Sequence, residues 1–230
     1  MVCYDGFITS HSVENIMLME NEEVTSFIGE YIPDEYLLDE SKNISMGPLA
    51  LQKDFYEKRK ELADAMVMSK DIIKEVSEEF YKITGRKYDL YEKYMLDDAE
   101  IGIVVLNSTA GTTKDVIDDL RAKGIKAGML KPRTFRPLPW NEISLELKEL
   151  KALAILDKAD SVNAYSGPLF SEITSAMYSS RVYVPTINYI YGLGGVDVKK
   201  DDILKVVEKL ENMSKTYRSD KTTYYLGLDD

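Results

Sequence analysis

The chain has 230 residues, 44% of them apolar and 30% charged, a balance that suits a folded globular protein and excludes general disorder. Its 40 acidic and 29 basic residues leave a formal net charge of -11, which argues against nucleic acid and anionic membranes as partners. With one cysteine, Cys3, and one histidine, His11, the chain alone can form no intrachain disulfide, iron–sulfur cluster or Cys/His zinc site.

The chain opens Met-Val-Cys-Tyr-Asp-Gly, without the basic region or apolar core of a secretory signal. No later apolar run approaches the roughly 20 residues of a membrane helix. Together with the lone cysteine this points to a cytoplasmic protein. Val2–Tyr4 reads as the end of a strand entering a turn at Asp5-Gly6, an abrupt start expected of a truncated domain. Ser10, with Glu14 downstream, is expected to cap a short helix through Met19. An acidic, turn-rich stretch follows. The first basic residue is Lys42 and ten acids precede it, so nearly all the net charge lies at the N-terminus. This stretch is expected to be a solvated connector or an acidic docking surface for a basic partner.

Residues 48–83 read as one long amphipathic helix. Pro48 suits its first turn, where a missing N–H leaves no bond unmade. Phe55, Leu62, Met66, Ile73, Val76, Phe80 and Ile83 recur at helical spacing and are expected to be buried, and Gly85 ends the element. From residue 100 the pattern alternates. Strands are expected at Ile101–Leu106, Lys126–Leu130, Ala152–Asp157 and Val182–Ile187. Helices are expected at Thr113–Lys123, Glu142–Leu150, Pro168–Ser179 and Asp201–Leu210. This order predicts an α/β fold, a parallel sheet flanked by helices, with ligands outside the carboxyl ends of its strands.

Several loops at those ends carry groups with chemistry. Asn107–Thr113 joins a strand to a helix, and its N–H groups either bind an anion or form an ordinary capped turn in which Gly111 supplies freedom. Lys131–Pro139 holds three cations on a proline-stiffened loop. Arg133 and Arg136 there either grip a carboxylate or phosphate, or pair with acids at a subunit interface. Asp157 is placed to orient a neighbouring loop by accepting backbone hydrogen bonds, and with no histidine nearby in sequence it is a poor general acid or base. Gly192–Gly195 is a tight turn before the last helix. Thr9-Ser10-His11 joins hydroxyls to an imidazole but lacks a third orienting group, which argues against a hydrolase.

Taken in order, these segments resemble alpha subunits of the 2-oxoacid:ferredoxin oxidoreductase family, those acting on pyruvate in particular. The resemblance is carried by Asp5-Gly-Phe-Ile-Thr-Ser-His11, Ile83-Thr-Gly-Arg-Lys-Tyr88, Ser108–Thr112, Arg121-Ala-Lys-Gly124 leading to Gly128, and Arg133-Thr-Phe-Arg-Pro137. It continues through Leu156-Asp157, Gly167-Pro-Leu169 and Tyr191-Gly-Leu-Gly-Gly195. It implies that residues 1–47 are the end of a truncated thiamine-diphosphate-fold domain, contacting the cofactor's pyrimidine, plus an acidic linker. Residues 48–99 are then a long helix and connector, 100–215 a domain like the transketolase C-terminal domain, and 216–230 a loosely ordered tail.

The resemblance further implies oxidative decarboxylation of a 2-oxoacid to an acyl-coenzyme A, with electrons passing through iron–sulfur clusters to ferredoxin. Thiamine diphosphate, its Mg²⁺ and the clusters would be held mainly by other subunits, the beta, gamma and delta chains. The substrate-binding and cofactor-activating residues would lie upstream of residue 1. No catalytic residue is therefore assigned in this chain, and Arg133 and Arg136 are its candidate substrate or anion contacts. Two positions depart from the family pattern: Lys158 stands where arginine is common after Leu-Asp, and Val196 where arginine is common before Asp197. The competing readings are a non-catalytic docking module and an independent small-ligand binder at the strand ends.

Overall fold

The structure is a computed structural model and describes residues 1–47 and 49–228. Its organising element is β2 (Ile101–Val105), buried along its whole length. A strand this apolar needs cover on both faces, and it gets it. Residues Ile101, Ile103 and Val105 face one way, onto α4 (Thr109–Arg121) and α7 (Lys200–Thr216). Val104 faces the other, onto α5 (Trp140–Leu147) and α6 (Pro168–Ser179). The same alternation runs along β4 (Ala152–Asp157), where Ala154 and Leu156 join the first core and Leu153 and Ile155 the second. Each fully buried Leu or Ile contributes about 1.5–3 kcal/mol, so this layered burial dominates the fold's stability.

The sheet has six strands in the order β1-β3-β2-β4-β5-β6. β3 (Ala127–Pro132), β2, β4, β5 (Thr186–Ile190) and β6 (Thr223–Tyr225) run parallel, while β1 (Tyr91–Tyr94) pairs antiparallel to the outer side of β3. The fold is thus α/β with a mostly parallel, doubly covered sheet, and the antiparallel edge is the departure from an all-parallel one. β1 was hidden by its half-polar sequence, Tyr-Glu-Lys-Tyr, which suits an edge.

Other elements shift for identifiable reasons. β5 begins four residues later than the expected Val182, because Pro185 has no N–H to give a ladder. Its carbonyl instead accepts from Leu153 N at 2.9 Å. The stretch expected to be a loose tail supplies β6, whose Tyr224 ring stacks on Tyr189 with centroids 5.2 Å apart. Helix α4 starts at Thr109, so Gly111 lies in its first turn and no special freedom is required of it. Residues 2–4 form no strand. The helix expected from Ser10 to Met19 is replaced by a short turn, α1 (Ile8–His11), and by α2 (Asn21–Ile28). Phe7 sits at φ 67°, and Ser10 Oγ accepts its N–H at 2.9 Å, which closes the chain into α1 at once. Glu22 and Glu23 favour the start of α2 through the helix dipole.

The long helix, α3, runs Gln52–Thr84, and Pro48 lies outside the described residues. None of its side chains is buried, which corrects the expectation of a core stripe. Phe55 is 59% exposed and Leu62 51%, while Ile73 and Phe80 are half-covered. The apolar spacing reports an amphipathic helix but not what it packs on. By internal contacts the chain forms two compact units. One is Met1–His11 with everything from Met66 onward; the other is Ser12–Ala65. Among the described residues no helix is long and apolar enough to cross a membrane.

Gly128 in β3 shows how closely the edge is packed. A Cβ there would stand 2.6 Å from Met95 O and 2.8 Å from Leu96 Cα, both backbone atoms that cannot swing away. Arg121 holds this edge, donating from Nε to Ala127 O at 2.7 Å and pairing with Asp98 at 2.8 Å. Gly128→Ala is therefore expected to destabilise the chain by about 1–3 kcal/mol through overpacking, read as a lowered urea midpoint.

Candidate functional site

The segment Asp5–His11 lies across the carboxyl ends of the parallel strands. Asp5 is 6% exposed and is the anchor. Its carboxylate accepts hydrogen bonds from Thr9 Oγ1 and from Ser108 Oγ. It also pairs with Lys158 Nζ at 3.1 Å, and the same ammonium donates to Gly6 O at 3.0 Å. Ser108 precedes the first turn of α4, so the anion that a helix start favours is here supplied by the chain itself. Burial opposes ionisation of Asp5. Donation from Ser108, Thr9 and Lys158, with the lysine's charge, outweighs it and holds the carboxyl below its ordinary value of 3.8.

The Gly-rich turn after β5 receives the next residue. Gly195 has φ 86°, and a Cβ on it would lie 2.8 Å from the Phe7 ring. Only glycine combines that conformation with so close an approach. Phe7 in turn stacks on His11 with ring centroids 6.0 Å apart, and Ser10 Oγ lies 2.7 Å from His11 Nδ1. The expected hydroxyl–imidazole pair therefore does form, but on an exposed turn. Tyr191, 3% exposed, bonds Thr109 and is pushed up to about 12 by burial and by the charges of Asp5 and Asp157, so its phenol stays neutral.

A second buried carboxylate organises the loop before α6. Asp157 accepts from Leu169 N at 2.7 Å, Phe170 N at 3.0 Å and Asn188 Nδ2 at 2.8 Å. Burial pushes its carboxyl up; these donors pull against that without cancelling it. Asn188 also gives Nδ2 to Ile155 O and takes Ser166 Oγ and Gly167 N on Oδ1. Asp157 thus caps α6 and orients the loop rather than facing an open site.

Arg133 and Arg136 are not brought together on one ligand. Arg133 Nη2 pairs with Glu92 at 2.6 Å, and its guanidinium lies 4.8 Å from the Tyr88 ring centroid. Arg136 pairs with Glu172 and lies over Phe135. It borders an open cavity of about 610 Å³ that also touches Lys70, Trp140 and Ser179. Both carboxylates belong to this chain and lie 41 and 36 residues away in sequence. Lys158 is the partner of Asp5, 153 residues distant. No local pattern announces such a pair.

Among the described residues no cluster of three His, Cys, Asp or Glu side chains could hold a metal ion. Cys3 is exposed and single, so an iron–sulfur cluster does not fit. The cavity beside Ser108, Lys158 and Tyr191 measures about 70 Å³. Ligand pockets begin near ~300 Å³, so thiamine diphosphate does not fit within it either.

Residues 99–203 match the family model described as pyruvate:ferredoxin oxidoreductase core domain II. Pyruvate synthase subunit PorA of Methanocaldococcus jannaschii is 38% identical over 232 residues, covering 100% of this chain and 57% of that subunit. This chain belongs to the pyruvate:ferredoxin oxidoreductase family. PorA of Thermotoga maritima is 39% identical over 212 residues, covering 92% of this chain and 54% of that subunit. The ketoisovalerate oxidoreductase subunit VorA of Pyrococcus abyssi is 34% identical over 229 residues, covering 99% and 58%. Among solved structures, a split gene transketolase matches 56% of this chain and 45% of its own, with a TM-score of 0.44 and 13% identity. The chain spans somewhat more than half the length of the curated relatives it matches.

The Asp5 anchor makes a pH-dependent prediction. Because Asp5 is held below its ordinary value, its stabilisation is present above about pH 4 and lost as pH falls through the folded-state value. Asp5→Asn is expected to cost about 1–3 kcal/mol near neutrality. The gap from the wild type should narrow as pH falls below about 4, read from urea midpoints at stepped pH.

Proposed function

We propose that this chain forms part of the alpha subunit of a 2-oxoacid:ferredoxin oxidoreductase acting on pyruvate. The observation that carries the reading is the seating of Asp5–His11 on the carboxyl ends of the strands, through Asp5, Ser108 and Lys158. In this reading residues 1–47 complete a thiamine-diphosphate-fold domain and its linker, and Lys158 substitutes for the arginine common in the family. Thiamine diphosphate with Mg²⁺, and the iron–sulfur clusters, are held by other parts of a cytoplasmic hetero-oligomer. When bound there, they supply the carbanion and electron-transfer chemistry that yields acyl-coenzyme A and reduced ferredoxin.

The work of this chain is positional. The Asp5 carboxylate, neutralised by Lys158 and fixed by two hydroxyls, sets the path of the segment leading to His11. Phe7 on Gly195 sets its height above the sheet. Misplacement of such a support by about 1 Å is enough to lower turnover on the order of a hundredfold. Of the two candidate anion contacts, Arg136 is neutralised by Glu172, and Arg133 stands in a cluster with excess positive charge.

Pyruvate-dependent reduction of ferredoxin, in the presence of coenzyme A, tests the reading in the assembled complex. The chain alone should be inactive, and the complex active. Lys158→Met should lower kcat by about tenfold or more while leaving subunit association intact. Equal turnover in a complex lacking residues 100–230 would reject the proposal. The docking-module reading predicts instead that the complex carrying Arg133→Ala with Arg136→Ala still assembles and turns over at an unchanged rate, and a large loss of rate with binding intact would reject it.

A further inference from the structure

Beyond the Asp5 anchor, the carboxyl end of β3 gathers an unbalanced set of charges. Lys114 reaches it from α4, Lys131 from β3 itself, and Arg133 from the loop that follows. The carboxylate among them is Glu92, directly opposite Lys131 across the β1–β3 ladder. Both Glu92 oxygens are already engaged, one by Lys114 and the other by Arg133 at 2.6 Å. Lys131 forms no ion pair of its own among the described residues. Three cations therefore stand against one carboxylate, in a chain whose overall charge is -11.

The cluster is held in place rather than drawn together by chance. Lys114 Nζ lies 5.2 Å from the Tyr94 ring centroid, and the Arg133 guanidinium 4.8 Å from that of Tyr88. Arg133 N is fixed to Leu90 O at 2.8 Å. Glu92, Arg133 and Lys114 have side chains only 23%, 26% and 32% exposed, so solvent screens them incompletely. Lys131 is half-buried, and burial together with the neighbouring Arg133 and Lys114 works against its charge, although Glu92 and Asp5 favour it. A partly desolvated ammonium with two like charges beside it is a standing cost that a bound anion would remove.

We infer that Lys114, Lys131 and Arg133 form a binding site for a phosphate-class oxyanion at the carboxyl end of β3. The excess of two positive charges matches the roughly -1.5 to -2 of a phosphate monoester near neutrality. A monocarboxylate would leave one charge uncompensated. Arginine offers a planar fork and the two lysines offer point charges, the mixture suited to a tetrahedral oxyanion. The position, outside the carboxyl end of a parallel strand, is where such sheets bind ligands. The site is independent of the oxidoreductase reading, since nothing in it depends on another subunit.

The test is calorimetric titration of the full 230-residue chain, at low ionic strength, with inorganic phosphate, phenyl phosphate and acetate. Saturable 1:1 binding of a phosphate is expected, with acetate at least about tenfold weaker. Tighter binding of phenyl phosphate than of inorganic phosphate would identify a phosphorylated organic ligand, and the reverse order a free phosphate. Lys131→Met and Arg133→Gln should each weaken binding about tenfold or more. Lys131→Met removes a charge that burial disfavours, so an unchanged or raised urea midpoint should show it folded. Lys114→Gln, on the partly exposed face of α4, is the second variant. No saturation at tens of millimolar, or wild-type affinity in these variants, would overturn the inference.

Discussion

The carboxylate of Asp157 is the constraint on which the ligand end of the sheet depends. It closes β4, caps α6 through two backbone N–H groups, and is tied across to β5 by the amide of Asn188. A buried carboxylate with fewer donors would cost several kcal/mol, so the three donors are obligatory rather than decorative. Their geometry fixes where the next residue, Lys158, leaves the strand. Lys158 in turn fixes Asp5, and Asp5 fixes the segment that runs to His11. A buried acid, 3% exposed, thus determines where an exposed segment lies.

Much of the fold was legible because burial on two faces leaves a strong mark. Ile101–Val105 and Ala152–Asp157 are nearly unbroken apolar runs, and Pro168 marks the first position of α6. Polar or interrupted strands were not legible. β1 carries Glu92 and Lys93 in its interior. β5 carries the buried Asn188, which looks like a loop residue until the four hydrogen bonds of its side chain are known. β6 is three residues long and gains its order from the Tyr224–Tyr189 stack. Helix α3 announced its amphipathic period without its partner, and so its stripe was assigned to a core that does not include it.

The site divides in the same way. The cations Arg133 and Arg136 were visible as residues at a strand end, since local sequence places them there. Their carboxylate partners were not, because Glu92 and Glu172 come from a preceding edge strand and a following helix. Asp5 was visible only as part of a recurring motif. The motif names the residue, whereas the physical reason, a salt link to Lys158 beneath a helix start, exists only once the sheet has formed. Family likeness and geometry therefore supply different halves of the account.

The placement of β6 has a consequence for synthesis. It pairs with β5 and covers what would otherwise be an open parallel edge. During translation that edge stays bare until residues 223–225 clear the ribosome, a hazard for edge-to-edge association between nascent chains. Asp5 likewise stays unpartnered until Lys158 follows, so both closures come after most of the domain has already been made.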